Sequence, residues 1–275
     1  FILPLLLTAC DNDEIEMMPP YIFFTYDVDT YVMDLDNSDP ADFTIKGSIS
    51  AQGLFKAFSM GDQELGREDL GDDPNKAFEC NVAIKGKTTA FDVPFVLTDQ
   101  MGNVVTKSFH FLTSAPIEAC QVTMGAQYNP YQGFFFSFKD QKVYSVTEMM
   151  KMTDPEGLCF GYNINKKQPM FVSPTELINQ TVLADYKGNN ISSFCEIVAF
   201  NNIPFTKDVF DNLKNDAFMR NLNPIEYGTY TSVSIAEGKS YLFKNEDDSL
   251  RGIVYVQSLE SGVGGQVQLT IKMQK

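Results

Sequence analysis

The chain has no tryptophan, a single histidine and a shortage of basic residues. Its 21 Lys and Arg face 36 Asp and Glu, so the net charge at pH 7 is −15. Proteins that bind nucleic acid by displacing counterions from phosphates need a basic surface, so this composition excludes a nucleic-acid partner. No apolar run approaches the roughly 20 residues that a membrane-spanning helix requires. The body of the chain is therefore expected to lie outside the bilayer.

The scarcity of histidine also limits the possible chemistry. His110 alternates with Phe109 and Phe111 on a predicted strand, so it is expected to face solvent on the side opposite the two rings. Ser-His-Asp and Cys-His mechanisms both need an imidazole beside the nucleophile, and a lone exposed histidine does not supply one. The motifs GxSxG, GxGxxG and HExxH and the Walker loop are absent. We therefore predict no catalytic residues, no cofactor and no enzymatic activity.

Carboxylates keep two other kinds of chemistry open. Glycoside hydrolysis needs only two carboxyl groups a few ångströms apart, and spacing along a sequence cannot show whether two groups meet. One acidic cluster consists of Asp27, Asp29, Asp34, Asp36, Asp39 and Asp42. Calcium prefers oxygen ligands, but this cluster lacks the glycine and terminal glutamate of an EF-hand loop. A solvated strand and loop is the simpler interpretation, and we predict no metal site.

The first residues carry the clearest signal in the chain. Residues 1–7 form an apolar run that is too short to cross a bilayer but suits the apolar part of a secretion signal. Because an initiating methionine and a basic start are missing, this leader is expected to be truncated. The following Leu7-Thr8-Ala9-Cys10 resembles the lipobox of bacterial lipoproteins, in which the cysteine is lipidated and becomes the first residue after cleavage.

This resemblance implies a leader over residues 1–10 and a lipid anchor at Cys10. Several acyl chains, at about 0.8 kcal/mol per buried methylene, hold a protein at a membrane more firmly than one chain does. The acidic stretch after Cys10 resembles the export tag of surface lipoproteins in Bacteroidetes-type bacteria, which implies an outer-membrane, cell-surface location. Residues 11–20 are too short and too acidic to form a core, and they end in Pro19-Pro20, so they are interpreted as a tether.

Residues 21–113 are dominated by alternation of apolar and polar residues. The apolar positions that alternate include Phe43, Ile45, Ile49, Phe78, Cys80, Val82, Ile84, Phe91, Val93, Phe95 and Leu97. Alternation predicts half-buried strands, and several short strands joined by turns are typical of a β-sandwich. The segment from Phe95 to Phe111, with Asp99, Gly102 and Asn103 at its turn, resembles the last hairpin of bacterial immunoglobulin-like modules. That resemblance implies an immunoglobulin-like sandwich acting as a spacer or adhesive unit.

The composition changes after a predicted linker at Thr113-Ser114-Ala115-Pro116. A helix is predicted from Thr206, a suitable N-cap, to Leu222, just before Asn223-Pro224. The segments around Gly125 and from Gly133 to Phe138 resemble the start of a domain of unknown function in gut-type Bacteroidetes lipoproteins. Residues 117–275 are therefore predicted to form a β-rich α+β domain with a few short helices. The fold class as a whole is predicted to be mainly β.

Beyond Cys10 the chain has Cys80, Cys120, Cys159 and Cys195, which allow three disulfide pairings. Export to an oxidising compartment permits disulfides. However, Cys80 continues an alternating apolar face, as a small buried side chain does. Free buried thiols are the favoured interpretation, and the disulfide state of the four cysteines stays open.

An aromatic cluster supplies the candidate binding surface. It consists of Tyr128, Tyr131, Phe134, Phe135, Phe136 and Phe138. Alternating phenylalanines on a strand are usually core residues, whereas Asn129-Pro130 predicts a loop that leaves the two tyrosines in solvent. Tyrosine rings can stack on sugars while their hydroxyls form hydrogen bonds. We therefore predict that Tyr128 and Tyr131 contact a glycan, although tryptophan, the preferred sugar platform, is absent.

Three functional hypotheses follow from these features. The leading one is a membrane-anchored cell-surface lipoprotein that acts as a binding or accessory module for polysaccharides or host glycoproteins. The second is a carboxylate-dependent glycan hydrolase, which requires two opposed acids in a cleft. The third is an adhesin or fimbria-like structural subunit that assembles by strand exchange, which requires an unpaired strand edge.

The lipid anchor is tested by replacing its only acceptor. Cys10→Ala in the full-length precursor is expected to abolish incorporation of labelled palmitate, because the thiol is the group that is acylated. Undiminished labelling of the variant would contradict the lipobox assignment.

Overall fold

The computed structural model describes residues 18–36, 40–149, 151, 158–165, 168–173, 195–199, 205–222, 230–245, 249–262 and 264–275. The chain divides into two compact units. Unit 1 comprises residues 1–30, 40–84 and 91–111, and unit 2 comprises residues 31–39, 85–90 and 112–275. The predicted mainly β fold with a few short helices is confirmed. The domain boundary placed between residues 113 and 117 stays a prediction.

The N-terminal strands form two sheets. The first has the order β1-β3-β6, with β1 (Tyr21–Phe24), β3 (Asp42–Ser50) and β6 (Asn75–Ala83). The second has the order β2-β8-β7-β4-β5, with β2 (Thr30–Met33), β8 (Val104–Thr113), β7 (Phe91–Asp99), β4 (Phe55–Met60) and β5 (Gln63–Gly66). A short helix, α1 (Arg67–Leu70), follows β5. Neighbouring strands within the β1-β3-β6 sheet are antiparallel.

Phenylalanine rings fill the space between these two sheets. Phe24 on β1 is fully buried and meets Phe95 on β7 and Phe109 on β8 edge to face, with ring centroids 5.1 and 5.4 Å apart. Phe78 on β6 lies 5.1 Å from Phe58 on β4, again across the gap between the sheets. Edge-to-face pairs of this kind contribute about 0.5–1.5 kcal/mol beyond the burial of their area. The alternation seen in the sequence therefore predicted the buried faces correctly.

The turn between β7 and β8 is built on a buried carboxylate. Asp99 accepts hydrogen bonds from the backbone N–H of Asn103 and from its side-chain amide, both at 2.8 Å. Gly102 has a φ of 91°, a left-handed conformation that glycine adopts without a steric penalty. The sequence predicted a turn here with Gly102 and Asn103 available for positive φ. The structure confirms the turn and gives a positive φ to Gly102 but not to Asn103.

Unit 2 contains two further sheets in its described residues. One has the order β14-β16-β17-β18-β9, with β14 (Cys195–Ala199), β16 (Ser240–Asn245), β17 (Arg251–Leu259), β18 (Gln266–Gln274) and β9 (Ile117–Gly125). The other has the order β11-β10-β12-β13-β15, with β11 (Lys142–Tyr144), β10 (Phe135–Ser137), β12 (Leu158–Asn165), β13 (Gln168–Val172) and β15 (Ser232–Ser234). One apolar cluster joins the two sheets. The ring centroids of Phe138 and Phe243 lie 4.2 Å apart, and those of Phe171 and Tyr241 lie 5.6 Å apart.

The helices of unit 2 are short. They are α2 (Val146–Met149), α3 (Lys207–Asn212) and α4 (Ala217–Asn221). The prediction of one helix from 206 to 222 is wrong, although Thr206 does cap α3 by accepting the Val209 N–H. Within the described residues, no helix has the length and apolarity needed to span a membrane.

A backbone pairing explains the break between α3 and α4. The Asp216 N–H donates to the carbonyl of Ala115 at 2.9 Å, and the Asp216 carboxylate accepts the Ala115 N–H at 2.7 Å. Asn215 forms a β-bridge with Pro116. Residues that pair with a distant segment cannot continue the internal hydrogen bonds of a helix, so the predicted helix divides into two.

Two cations from the neighbouring sheet cap the ends of these helices. The Lys272 ammonium donates to the carbonyls of Phe210, Asp211 and Leu213 at 2.7, 2.9 and 2.9 Å. The Arg251 guanidinium likewise donates to three carbonyls at the end of α4, those of Met219, Arg220 and Leu222. The last carbonyls of a helix have no partner within it, and positive charge there is favourable. Partial burial lowers the pKa of Lys272 from its ordinary value.

Removing the Lys272 cap is expected to destabilise unit 2. Lys272→Met keeps the aliphatic stem but removes the ammonium that all three carbonyls accept, although the Phe210 carbonyl keeps a second donor, the Leu213 N–H. The free energy of unfolding should therefore fall by about 1–3 kcal/mol. Lys275→Met is the control, because Lys275 is largely exposed and its nitrogen lies 3.8 Å from Glu118. Its effect should stay within about 0.5 kcal/mol. Urea unfolding measures both, and equal losses in the two variants would contradict a capping role.

Candidate functional site

The two tyrosines predicted to bind a ligand lie on one loop between β9 and β10. We call residues 126–132 the tyrosine loop. Its base is closed by a hydrogen bond from the Gly125 N–H to the Gly133 carbonyl at 2.8 Å. A second bond, from the Asn129 N–H to the Ala126 carbonyl at 2.8 Å, forms a turn inside it. Pro130 has a fixed φ and no N–H, so it restricts the loop further.

The side chain of Asn129 connects the tyrosine loop to a second turn. Its oxygen accepts the N–H groups of Tyr131 and Gln132 at 2.9 and 3.0 Å. Its amide group donates to the carbonyls of Gly264 and Gly265 at 2.9 and 3.1 Å. Gly264 and Gly265 belong to the turn that joins β17 to β18. All four hydrogen-bonding positions of the asparagine amide are therefore used to hold the loop.

The flanking glycines allow this close approach. A Cβ added to Gly125 would lie 2.6 Å from the Cβ of Asn129, and one added to Gly133 would lie 2.7 Å from Cγ1 of Val143. Both distances are shorter than real carbon–carbon contacts. Larger residues at either position would therefore push the loop away from its supports.

The loop presents its two tyrosines to solvent. Tyr128 is 70% exposed and Tyr131 is 90% exposed. Phe134, Phe135, Phe136 and Phe138 are buried, so the predicted division between exposed tyrosines and core phenylalanines is confirmed. An exposed ring can stack on an apolar surface while its hydroxyl remains solvated or binds a polar partner. The loop is thus able to make stacking and hydrogen-bonding contacts at the same time.

The structure also locates the other candidate residues named from the sequence. The His110 side chain is 40% exposed, as predicted, and its Nδ1 lies 2.8 Å from a carboxylate oxygen of Asp92. The two residues face each other on adjacent strands β7 and β8. This pair could not be predicted from the sequence, because local patterns do not show which residue of β7 lies opposite which residue of β8.

The acidic cluster is divided among different partners. Asp34 and Asp36 both accept hydrogen bonds from the side-chain amide of Asn215, at 2.5 and 2.8 Å. Asp27 lies 3.4 Å from the Lys107 ammonium, and Asp39 lies outside the described residues. Within the part of the chain that the structure describes, no three His, Cys, Asp or Glu side chains are grouped to hold a metal ion.

The cysteines show no sign of a reactive thiol in the described residues. Cys80 is buried and Cys120 is half-buried, and both are free thiols, as the sequence predicted for buried cysteines. Burial raises the pKa of both thiols, and the nearby Glu118 raises that of Cys120 further. A raised pKa keeps a thiol protonated and unreactive at neutral pH. Cys10 and the side chains of Cys159 and Cys195 lie outside the described residues.

The role of Asn129 is tested by measuring the hydrogen-exchange rates of two backbone N–H groups. In Asn129→Ala, the N–H groups of Tyr131 and Gln132 lose their acceptor, so their hydrogen exchange should accelerate by about tenfold. Asn129→Asp is the matched control, because the carboxylate still accepts both N–H groups while losing the two donations to the neighbouring turn. Unchanged exchange in the alanine variant would contradict the proposed organisation of the loop.

No family model and no curated protein matches the chain. Among solved structures, the chain is similar to the crystal structure of a DUF4466 family protein from Parabacteroides merdae, with 9% sequence identity and a TM-score of 0.42. The match covers 93% of this chain and 98% of that chain. At this identity and TM-score, the similarity carries no conclusion about the activity or ligand of the chain.

Proposed function

We propose that the protein is a membrane-anchored cell-surface lipoprotein that acts as a binding or accessory module, contacting glycans or host glycoproteins through the tyrosine loop. The observation that carries the proposal is the exposure of Tyr128 and Tyr131, at 70% and 90%, on a loop that Asn129 holds in place. The lipobox-like Leu7-Thr8-Ala9-Cys10 supports the anchoring part of the proposal.

The organisation of the loop favours binding energetically. Association costs free energy whenever side chains and loops must become ordered, so a loop that is already fixed loses less on binding. Tyrosine has only two side-chain torsions and offers a large amphipathic area, which is why it is common on recognition loops. These two points together favour a recognition role for the loop.

Charge favours uncharged sugars as the ligand. Residues 126–132 contain no Asp, Glu, Lys or Arg, and the whole chain carries a net charge of −15. Sulfated or uronic-acid-rich glycans would be repelled by such a protein and would find no basic group on the loop. Neutral polysaccharides and the neutral parts of glycoprotein glycans fit this surface better.

The strand order of the N-terminal sheets supports an immunoglobulin-like assignment for the spacer. The orders β1-β3-β6 and β8-β7-β4 correspond to strands A-B-E and G-F-C of an immunoglobulin sandwich. The N–H of His110 donates to the carbonyl of Asp29 at 2.7 Å, and that of Ser114 to the carbonyl of Met33 at 3.0 Å. From the first of these bonds to the second, the residue numbers of the donor and of the acceptor both increase, so β2 runs parallel to β8. In our proposal this sandwich separates the anchor from the binding module.

The binding role is tested with a panel of neutral and anionic glycans and host glycoproteins. We expect the full chain to bind a neutral glycan, and we expect Tyr128→Ala and Tyr131→Ala each to weaken binding. A stacking contribution of about 0.5–1.5 kcal/mol per ring corresponds to a loss of about 2- to 13-fold in affinity, measured by calorimetry.

Tyr230→Ala is the control for this experiment, because Tyr230 is an exposed tyrosine of unit 2 outside the loop. The affinity of the Tyr230→Ala variant for the glycan should equal that of the unaltered protein. If no glycan or glycoprotein binds, or if the loop variants bind as well as the control, the proposal is wrong. Release of reducing sugar from a bound polysaccharide would favour the hydrolase hypothesis instead.

A further inference from the structure

One end of unit 1 carries a group of exposed apolar side chains from separate parts of the chain. Met18 precedes β1, Tyr21 begins it, and Met101 and Val104 belong to the turn between β7 and β8 and its exit. Each of the four is more than half exposed. We call these four residues the apolar tip.

The loop between β3 and β4 brings these residues to the same end of the unit. The Met18 N–H donates to the side-chain oxygen of Gln52 at 3.0 Å. A Cβ added to Gly53 would lie 3.2 Å from Cγ and Sδ of Met101, so the methionine side chain lies against this loop. The Gln100 N–H donates to the carbonyl of Leu54 at 3.0 Å. The start of β1 and the turn after β7 therefore flank one short loop.

The apolar tip is also free of charge. Residues 18–25, 51–54 and 100–106 contain no Asp, Glu, Lys or Arg, in a chain that has 36 acidic and 21 basic residues. Asp99 lies at the base of the turn, but it is buried and its oxygens accept two hydrogen bonds from Asn103. Asp73, near the same end, is exposed, and one of its carboxylate oxygens accepts the Asn75 N–H at 2.9 Å. The segments that supply the tip therefore combine apolar side chains with an absence of charged residues, although an exposed carboxylate lies near them.

We infer that the apolar tip rests in the interface of the bilayer that holds the lipid anchor. The inference rests on the proposed lipidation of Cys10. Met18 follows Cys10 by eight residues, a span of at most about 28 Å when fully extended. The tether therefore enters unit 1 at the tip itself, and it keeps Met18 within about 28 Å of the anchored cysteine.

The chemistry of the tip suits this position. Tyrosine prefers the level of the lipid headgroups, where its ring is in an apolar region and its hydroxyl is hydrated. Methionine and valine gain from leaving water but are too few here to bind a membrane without an anchor. With a net charge of −15, the protein as a whole is repelled by anionic lipids, so the segments that carry no charged residue are the part that approaches a membrane most easily.

The absence of tryptophan allows a direct test, because one substitution creates a unique fluorescent reporter. Met101→Trp reports from the tip. Tyr26→Trp is the matched control, because Tyr26 is an exposed tyrosine of the same unit that follows the other end of β1. Both variants are made as lipidated full chains and incorporated into phosphatidylcholine vesicles with brominated acyl chains. We expect emission from Met101→Trp to be quenched and shifted to the blue, and emission from Tyr26→Trp to be unchanged. Val104→Trp is the second tip reporter if Met101→Trp does not fold.

The possible outcomes separate the inference from the proposed anchor. Quenching in the tip reporter alone supports the inference. If the proteins float with vesicles but no tip reporter is quenched, or if all reporters are quenched equally, the tip inference is wrong while the anchor stands. If no protein floats with vesicles, the anchor and the inference both fail. A concentration-dependent blue shift without vesicles would show that a second copy covers the tip, which also overturns the inference.

Discussion

The side-chain amide of Asn129 is the interaction on which the presentation of Tyr128 and Tyr131 depends. It accepts two N–H groups of its own loop and donates to two carbonyls of the β17–β18 turn. One planar group thus joins two segments that are far apart in the sequence. Under the proposed binding role, a loop without these bonds would have to become ordered on binding, at a cost in affinity.

Aromatic residues are divided between the interior and the surface by their chemistry. Among the side chains that the structure describes, the largest fully buried ones are all phenylalanines: Phe24, Phe55, Phe58, Phe95, Phe111, Phe134, Phe135, Phe136, Phe171 and Phe210. The strongly exposed aromatic rings are mostly tyrosines, which can keep the hydroxyl in water or offer it to a ligand. The chain therefore builds its cores from rings that need no polar partner. Its tyrosine loop exposes rings that can have one.

Local patterns in the sequence predicted much of this structure. Period-two alternation depends only on neighbouring residues, so the buried positions of Phe78, Cys80 and Phe95 were predicted correctly. The Asn129-Pro130 pair likewise predicted a loop and exposed tyrosines. These features share a cause, since each is decided by the preferences of a few consecutive residues.

Features that depend on distant contacts could not be read from the sequence. The predicted helix from 206 to 222 is divided because Asp216 pairs with the backbone of Ala115. The partners of Asn129 lie at Gly264 and Gly265, and the two segments that supply the apolar tip meet at a third, the loop between β3 and β4. No local pattern records which distant segments meet, so these parts needed the structure.

The most direct test of the account is the mobility of the tyrosine loop in solution. Nitrogen-15 relaxation reports the backbone order parameter of each N–H on the picosecond-to-nanosecond timescale. If Asn129 holds the loop in place, the amides of Tyr128 and Tyr131 should have order parameters of about 0.85, like those of the neighbouring strand β9. Values below about 0.6 for these two amides would show a flexible loop and contradict the account.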